Sequence, residues 1–262
     1  MDKATWGGVL LGLGGIVAGL LLEGGNLSQI LQPTAALIVF GGTLGAVLIQ
    51  FPLPVVLGSF RRLARIFWPT RQNPLSVVQE LIRYAYQARR EGIVSLDSQL
   101  QKIQEPFLKK SLMLAVDGTE PQELRNMMEL ELDHQAEYEE KFPHVFESAG
   151  GFAPTIGIIG AVLGLIQVMQ HLDKIEEVGR GIAVAFVATI YGVGSANLFF
   201  LPAAGKLKHR IREEQLTREM TLEGVVSILE GINPRMLETK LLGFLTDAEA
   251  STNPQTIREV PR

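Results

Sequence analysis

The stretch "GFAPTIGIIGAVLGLIQVMQ", Gly151 to Gln170, decides how this chain is read. It is apolar throughout, carries no charge, and holds Pro154 in its first turn with glycines at 157, 160 and 164. About 20 such residues in a helix cross the roughly 30 Å hydrocarbon layer of a bilayer. Two questions follow: what holds a helix of small residues to its neighbours, and what it can do in a membrane without an ionisable group.

Three further runs share the pattern: Trp6 to Leu22, Thr34 to Phe60, and Gly181 to Pro202. Pro52 and Pro54 are expected to break the lower part of the second. The chain is 47% hydrophobic yet 20% charged, and both hold because the charges lie outside these runs. A cleaved leader fits the first run poorly, since Asp2 and Lys3 cancel and "EGGNLSQ" after it offers no small-residue cleavage site. The expected fold is an all-α polytopic membrane protein, four transmembrane helices with a helical cytoplasmic domain.

Basic residues set the orientation. Arg61, Arg62 and Arg65 follow the second run, and Lys206, Lys208, Arg210 and Arg212 follow the fourth. The connection 23–33 has neither Lys nor Arg, and 171–180 has only Lys174 and Arg180. The excess of positive charge on cytoplasmic loops then places 61–150, 205–262 and both termini inside. The expected organisation is helices 1 and 2 over 1–60, a cytoplasmic helical domain over 61–150, helices 3 and 4 over 151–204, cytoplasmic helices over 205–246, and a disordered tail over 247–262.

The cytoplasmic part reads as helical. Val77, Val78, Leu81, Ile82 and Ala85 form one stripe that Gly92 ends. "TEPQ" at Thr119–Gln122 resembles a capping box opening a helix with Leu124, Met127, Met128 and Leu132 on its apolar side. Its acidic side, from Glu129 to Glu140, reads as a solvated face. Leu207, Ile211, Val225, Ile228 and Leu229 continue at helical spacing to "EGINP", and Leu237, Leu241 and Phe244 mark a short last helix.

Several chemistries have no residues to stand on. There is no cysteine, and the histidines at 134, 144, 171 and 209 have no metal-ligand spacing. No P-loop, GxSxG or strand-linked GxGxxG occurs, and "GLGG" at 12–15 sits inside an apolar run. The net charge of −4, with basic clusters only beside apolar runs, gives nucleic acid no surface. Neither an enzyme nor a cofactor is expected.

In lipid, helices associate by close backbone approach, which small-xxx-small spacing marks. Gly8/Gly12, Gly15/Gly19, Gly41/Gly45 and Gly160/Gly164 have it. Pro154, Gly157, Ala161, Gly164 and Val168 share one face of the third helix; Ala185 or Phe186, Thr189, Val193 and Asn197 share one of the fourth. These faces serve either packing within the chain or the wall of a narrow path that grips another helix. A carrier at mid-depth is normally ionisable, yet the runs contain no Asp, Glu, Lys, Arg or His. Their polar inventory is Thr155, Thr189, Tyr191, Ser195 and Asn197, with Gln167 and Gln170 near the outer end. The chain can line a path; a partner must bring the carboxylate.

"PTIGIIGAVLGLI", "GIAVAFVATIYGVGSANLFFLPAAGKLK" and "EGVVSILEGINPRMLETKL", with "LEGGNLSQILQPTAALIVFGGTLGA" and "ARREGIVSLD", resemble the MotA/PomA family of flagellar stator proteins. The resemblance runs over nearly the whole chain in order. It implies an ion-driven motor unit in the bacterial inner membrane, a homopentamer around a dimer of a single-pass MotB/PomB-type partner that supplies the ion-carrying Asp. By the same resemblance Pro154 and Pro202 shape and gate the motor, Thr189 faces the partner's Asp, and Phe186 contacts the partner helix. Thr155, Ala161 and Tyr191 complete the expected path, and Arg89 and Arg90 match the residues that touch the rotor protein FliG. Asp97 stands where the family usually has Glu, which keeps the charge and shortens its reach. The ExbB/TolQ energisers are the alternative, with three helices and a different N-terminal half.

Sodium must exchange its hydration water for several oxygen ligands, whereas a proton needs a titrating carboxylate and a water path. Sodium-type members resemble "GMIGTLIG" and "LLTTLYG" where this chain has Ala161 in "GIIGAVLG" and Ala188 in "FVATIYG". Loss of two hydroxyls favours protons over sodium as the translocated ion.

Overall fold

The computed structural model describes residues 3–67 and 73–245, and every regular element among them is helical. The expected disordered tail, 247–262, lies outside the described residues. Four helices are long and apolar enough to cross a membrane: α1 (Lys3–Leu22), α2 (Pro33–Gln50), α6 (Pro121–Gln170) and α7 (Ile175–Leu229). Between them lie α3 (Leu53–Phe67), α4 (Pro74–Glu91) and α5 (Pro106–Val116); α8 (Pro234–Leu242) follows α7. The chain divides into two compact units, one of residues 1–70 with 139–209 and one of 71–138 with 210–262.

The proline readings divide. The second apolar run does break near its end: α2 stops at Gln50 and α3 begins at Leu53, with Pro52 between. The third does not start a helix at Gly151. α6 runs unbroken from Pro121 through Pro143 and Pro154, so Pro154 is an interior residue rather than a first-turn one. Proline's fixed φ suits a helix; what it removes is one N–H and the room beside the carbonyl four residues back. The helix also opens one residue later than "TEPQ" suggested, which puts Glu120 at the cap position instead of Thr119.

In the first unit α2 packs on α7 through Ala35, Val39, Val187 and Ala188, all essentially buried. Two further clusters, Val47, Val56, Val145 and Ala149, then Leu63, Phe146, Ala203, Ala204 and Leu207, carry the packing onto α3. α1 stays almost wholly exposed, with Gly12 close to Leu198. α2 contains a π-helical turn at Leu37–Gly41, and α7 contains another at Ala196–Phe200, just before Pro202. Pro202 has no N–H to return to Leu198, so the ladder must shift there, and a π-turn is one way to do so.

The second unit is built around one apolar core that joins α4, α5, the start of α6, the end of α7 and α8. Asn73 caps α4, its side chain accepting from the Leu75 N–H at 3.2 Å, with Pro74 in the first turn. Val78, Leu81, Ile82 and Ala85 are buried as the stripe predicted, joined by Leu75 and Tyr84. Gly92, at φ +83°, ends the helix in a backbone conformation that a side chain would strain. Arg125 pairs with Glu223 at 2.8 Å, and Lys240 pairs with the same carboxylate. The Arg125 hydrogen bond holds that carboxyl below the usual range, and Lys240 adds to it.

Candidate ion path and partner-facing surface

The glycines of the third run meet the fourth helix backbone to backbone. A Cβ on Gly157 would stand 2.9 Å from the Ala188 carbonyl oxygen and 3.2 Å from the Gly192 Cα. One on Gly160 would stand 2.8 Å from the Ala188 Cβ, and one on Gly164 2.8 Å from the Gly181 carbonyl oxygen. From the other side, a Cβ on Gly192 would stand 2.6 Å from the Ala153 carbonyl oxygen. The seam is therefore Gly157, Gly160 and Gly164 against Gly181, Ala185, Ala188 and Gly192. Its α7 half was readable too, because Gly181/Ala185 and Ala188/Gly192 have small-xxx-small spacing of their own.

α2 covers one side of this seam: Ile38 lies near Gly160, and Gly42 against Ile156. At 100° per residue the opposite side of α6 carries Pro154, Ile158, Ala161 and Leu165, and that of α7 carries Ile182, Phe186, Thr189 and Val193. This side is open. Phe186 is 68% exposed and Ile158 58%, and no charged residue lies on it. Four of the sequence-predicted residues, Pro154, Ala161, Phe186 and Thr189, thus come together on one uncovered face.

The hydroxyls are held within their own helices. Thr189 Oγ1 donates to the Ala185 carbonyl at 3.2 Å, Thr155 Oγ1 to Phe152 at 2.8 Å, and the Asn197 amide to Val193 at 2.9 Å. This back-bonding satisfies each donor in an apolar layer and leaves oxygen lone pairs free to accept from water or an acid. Thr155 sits on the far side of α6 from the seam.

The other expected path residues are placed elsewhere. The Tyr191 hydroxyl donates to the Ile30 carbonyl and accepts from the Gln32 N–H at 3.3 Å, and its ring stacks on Phe40 at 5.9 Å. Those contacts tie down the segment entering α2. Pro202 is exposed, just beyond the π-turn. Ala188 is fully buried in the seam, so a hydroxyl there would meet α6 rather than the open face.

In the second unit Arg89 and Arg90 occupy the last exposed turn of α4, and Asp97 is the exposed first residue of a short helical turn, Asp97–Leu100, whose Leu100 is buried. The bend between them is pinned: Gln87 donates to the Ser95 carbonyl at 3.1 Å, and Ser95 Oγ donates to the Gly92 carbonyl at 2.7 Å. Leu96 anchors it in the core at 0% exposure, while Val94, between the arginines and Asp97 in the chain, is 67% exposed. Sequence reasoning singled out the charges and passed over Val94.

Four membrane-length helices among the described residues, two of them packed on a glycine seam, define a polytopic membrane protein with one uncharged face left open. A family model for the MotA/TolQ/ExbB proton channel family matches residues 99–220, and one for the motility protein A N-terminal region matches 6–92. Motility protein A of Bacillus subtilis is 36% identical over 94% of this chain and 91% of its own. The C. jejuni MotAB structure superposes with a TM-score of 0.90 at 31% identity, covering 97% of this chain and 98% of that one. The flagellar MotAB stator complex of Bacillus subtilis gives 0.86 at 34% identity, over 95% and 98%. The chain belongs to the motility protein A family.

Proposed function

We propose that this chain is the proton-conducting stator subunit of a flagellar motor, coupling proton flow to torque on the rotor. The carrying observation is the open face of α6 and α7, which offers Thr189 and Phe186 but no ionisable group. The related solved structures are MotAB complexes, and a single-pass partner of the MotB type docks on that face and supplies the Asp. Several copies close around it, a pentamer by the resemblance, so that each contributes a Thr189. Pro154 and Pro202, with the π-turn before the latter, are where α6 and α7 bend as the carboxylate changes state. Tyr191 serves from behind, by fixing the loop that enters α2.

The membrane is the bacterial inner membrane, with 61–150, 205–262 and both termini in the cytoplasm. Arg89, Arg90 and Asp97 meet the rotor protein FliG. The proton reading rests on Ala161, which borders the open face and withholds from it a hydroxyl that a sodium site could use; Ala188, closed in the seam, offers that face nothing either way.

Flux measurement tests the core of this proposal. Vesicles holding this chain alone conduct no protons, whereas vesicles with the partner, freed of any plug segment, acidify when a gradient is imposed. Comparable flux from this chain alone overturns it.

A further inference from the structure

α3 has two faces, and only one of them is used within the chain. Val56, Ser59 and Leu63 are buried, and Gly58 lies so close to Phe142 that a Cβ would stand 2.7 Å from its ring. Arg62 makes a two-pronged pair with Glu139, both contacts at 2.7 Å, and its guanidinium lies 3.4 Å from the Phe142 ring centroid. These contacts fix the helix and consume Arg62.

The outward face is a single row. Leu53, Leu57 and Arg61 follow one another at i, i+4 spacing, Arg65 is the next position of the row, and Phe60 and Ala64 flank it. Leu53 is 57% exposed, Leu57 61%, and Arg61 is also exposed. The row is apolar at the end nearer α2 and basic at the other.

Its depth is set by what α3 touches. α2 ends at Gln50, three residues before α3 begins. On α6 the contacts of α3 run from Glu139 to Ala149, and so reach the first residues of the uncharged stretch that begins at Ser148. The row therefore stands at the edge of the hydrocarbon layer. No Asp or Glu occurs in the sequence from Gly24 to Gln79, so neither α2 nor α3 carries an acidic residue of its own.

We infer that the outward row of α3 is a binding site for anionic phospholipid: Leu53 and Leu57 lie against acyl chains while Arg61 holds the phosphate headgroup. Apolar contact plus basic residues at the headgroup level is the combination that selects acidic lipids. The inference rests on the membrane placement of α2 and α6, and not on ion specificity or on the partner.

The chain has no cysteine, so Leu57→Cys gives one position for a fluorescent label on the full-length protein. The labelled chain is placed in vesicles of equal phosphatidylcholine and phosphatidylglycerol, with brominated acyl chains on one lipid or the other. Quenching is expected from both and stronger from brominated phosphatidylglycerol, reflecting enrichment of roughly fivefold per arginine at an acidic surface. Arg61→Gln keeps the quenching and removes the preference. Equal quenching from both lipids by the labelled chain with its arginines intact overturns the inference, whatever the variant does. So does absence of quenching; if disulfide-linked pairs of the unlabelled Leu57→Cys chain form as well, a second copy covers the row. The readout needs neither partner nor proton flux, so its failure leaves the stator proposal standing.

Discussion

Gly164 and Gly181 face each other so closely that a Cβ on the first would stand 2.8 Å from the carbonyl oxygen of the second, and one on the second 2.9 Å from that of the first. Both clashes are with backbone, so no side chain can swing aside to relieve them. Gly164→Ala must push α6 and α7 apart, at a cost of about 1–3 kcal/mol for overpacking a tight contact. Gly151→Ala meets nothing within 4 Å and serves as the control. The midpoint of thermal unfolding in detergent should fall by several degrees for the first and stay unchanged for the second.

The Arg62–Glu139 pair is part-buried, with side-chain exposures of 24% and 21%. Two-pronged geometry and the Phe142 ring beneath it lift this pair above an ordinary surface contact. A double-mutant cycle with Arg62→Ala and Glu139→Ala should give a coupling of about 1–2 kcal/mol. Arg62→Lys should recover little of it, because an ammonium lacks the planar fork that matches both carboxylate oxygens with parallel hydrogen bonds, and it stacks less well. Full recovery by lysine would show that charge alone matters.

Acid should loosen the second unit through Glu223. Its folded-state pKa lies below the ordinary value of 4.5, chiefly through the Arg125 hydrogen bond. A depressed carboxyl contributes stability that is complete above the unfolded pKa and is lost as pH falls through the folded one. Glu223→Gln should lower the unfolding midpoint at pH 7 and flatten its decline below 4.5. Glu238 works in the opposite sense: burial raises its pKa, so its contribution is present in acid and lost as pH rises. Glu238→Gln should therefore raise the midpoint near neutrality.

Charge reversal at the exposed end of α4 separates torque from assembly. Arg89 and Arg90 also complement the helix dipole there, worth about 0.3–1 kcal/mol each, which the chain can lose and still fold. Arg89→Glu with Arg90→Glu should abolish swimming while the protein stays in the membrane and proton flux persists. An opposite reversal on the rotor should restore part of the motion. Disappearance of the protein from the membrane fraction would assign the arginines a structural role instead.

Rotation should continue in sodium-free medium and stop on addition of a protonophore. Motor speed that follows external sodium and ignores a brief protonophore exposure would sink the proton reading. Ala161→Thr is the informative substitution, since position 161 borders the open face whereas 188 is closed in the seam. It adds an oxygen where a cation could use it.

What was legible in the sequence is what depends on local pattern. Four uncharged runs, the α4 stripe from Val78 to Ala85 and the stop at Gly92 all follow from spacing and backbone preference. The unbroken course of α6 did not, because proline marks a helix start as readily as an interior position, and only packing along both sides of Pro154 decides between them. Pairings between distant residues left no trace: nothing joins Tyr191 to Ile30, or Arg62 to Glu139, until the helices are side by side. The seam was half read, since Gly160 and Gly164 were noticed while Gly181 and Gly192 were not.

Neither compact unit is a continuous piece of chain, and this constrains how the protein is made. The core of the second unit joins Val78 to Leu132 with Met220 to Leu241, and α6 and α7 must both enter the membrane in between. A ribosome adding about 5–20 residues per second needs on the order of ten seconds to pass from Leu132 to Leu241. For that interval Leu81, Leu124 and Met128 wait without the partners that finally enclose them. The newborn chain thus carries an unfinished apolar surface while its last helices insert, a period in which chaperones, proteases or a neighbouring nascent copy can reach it.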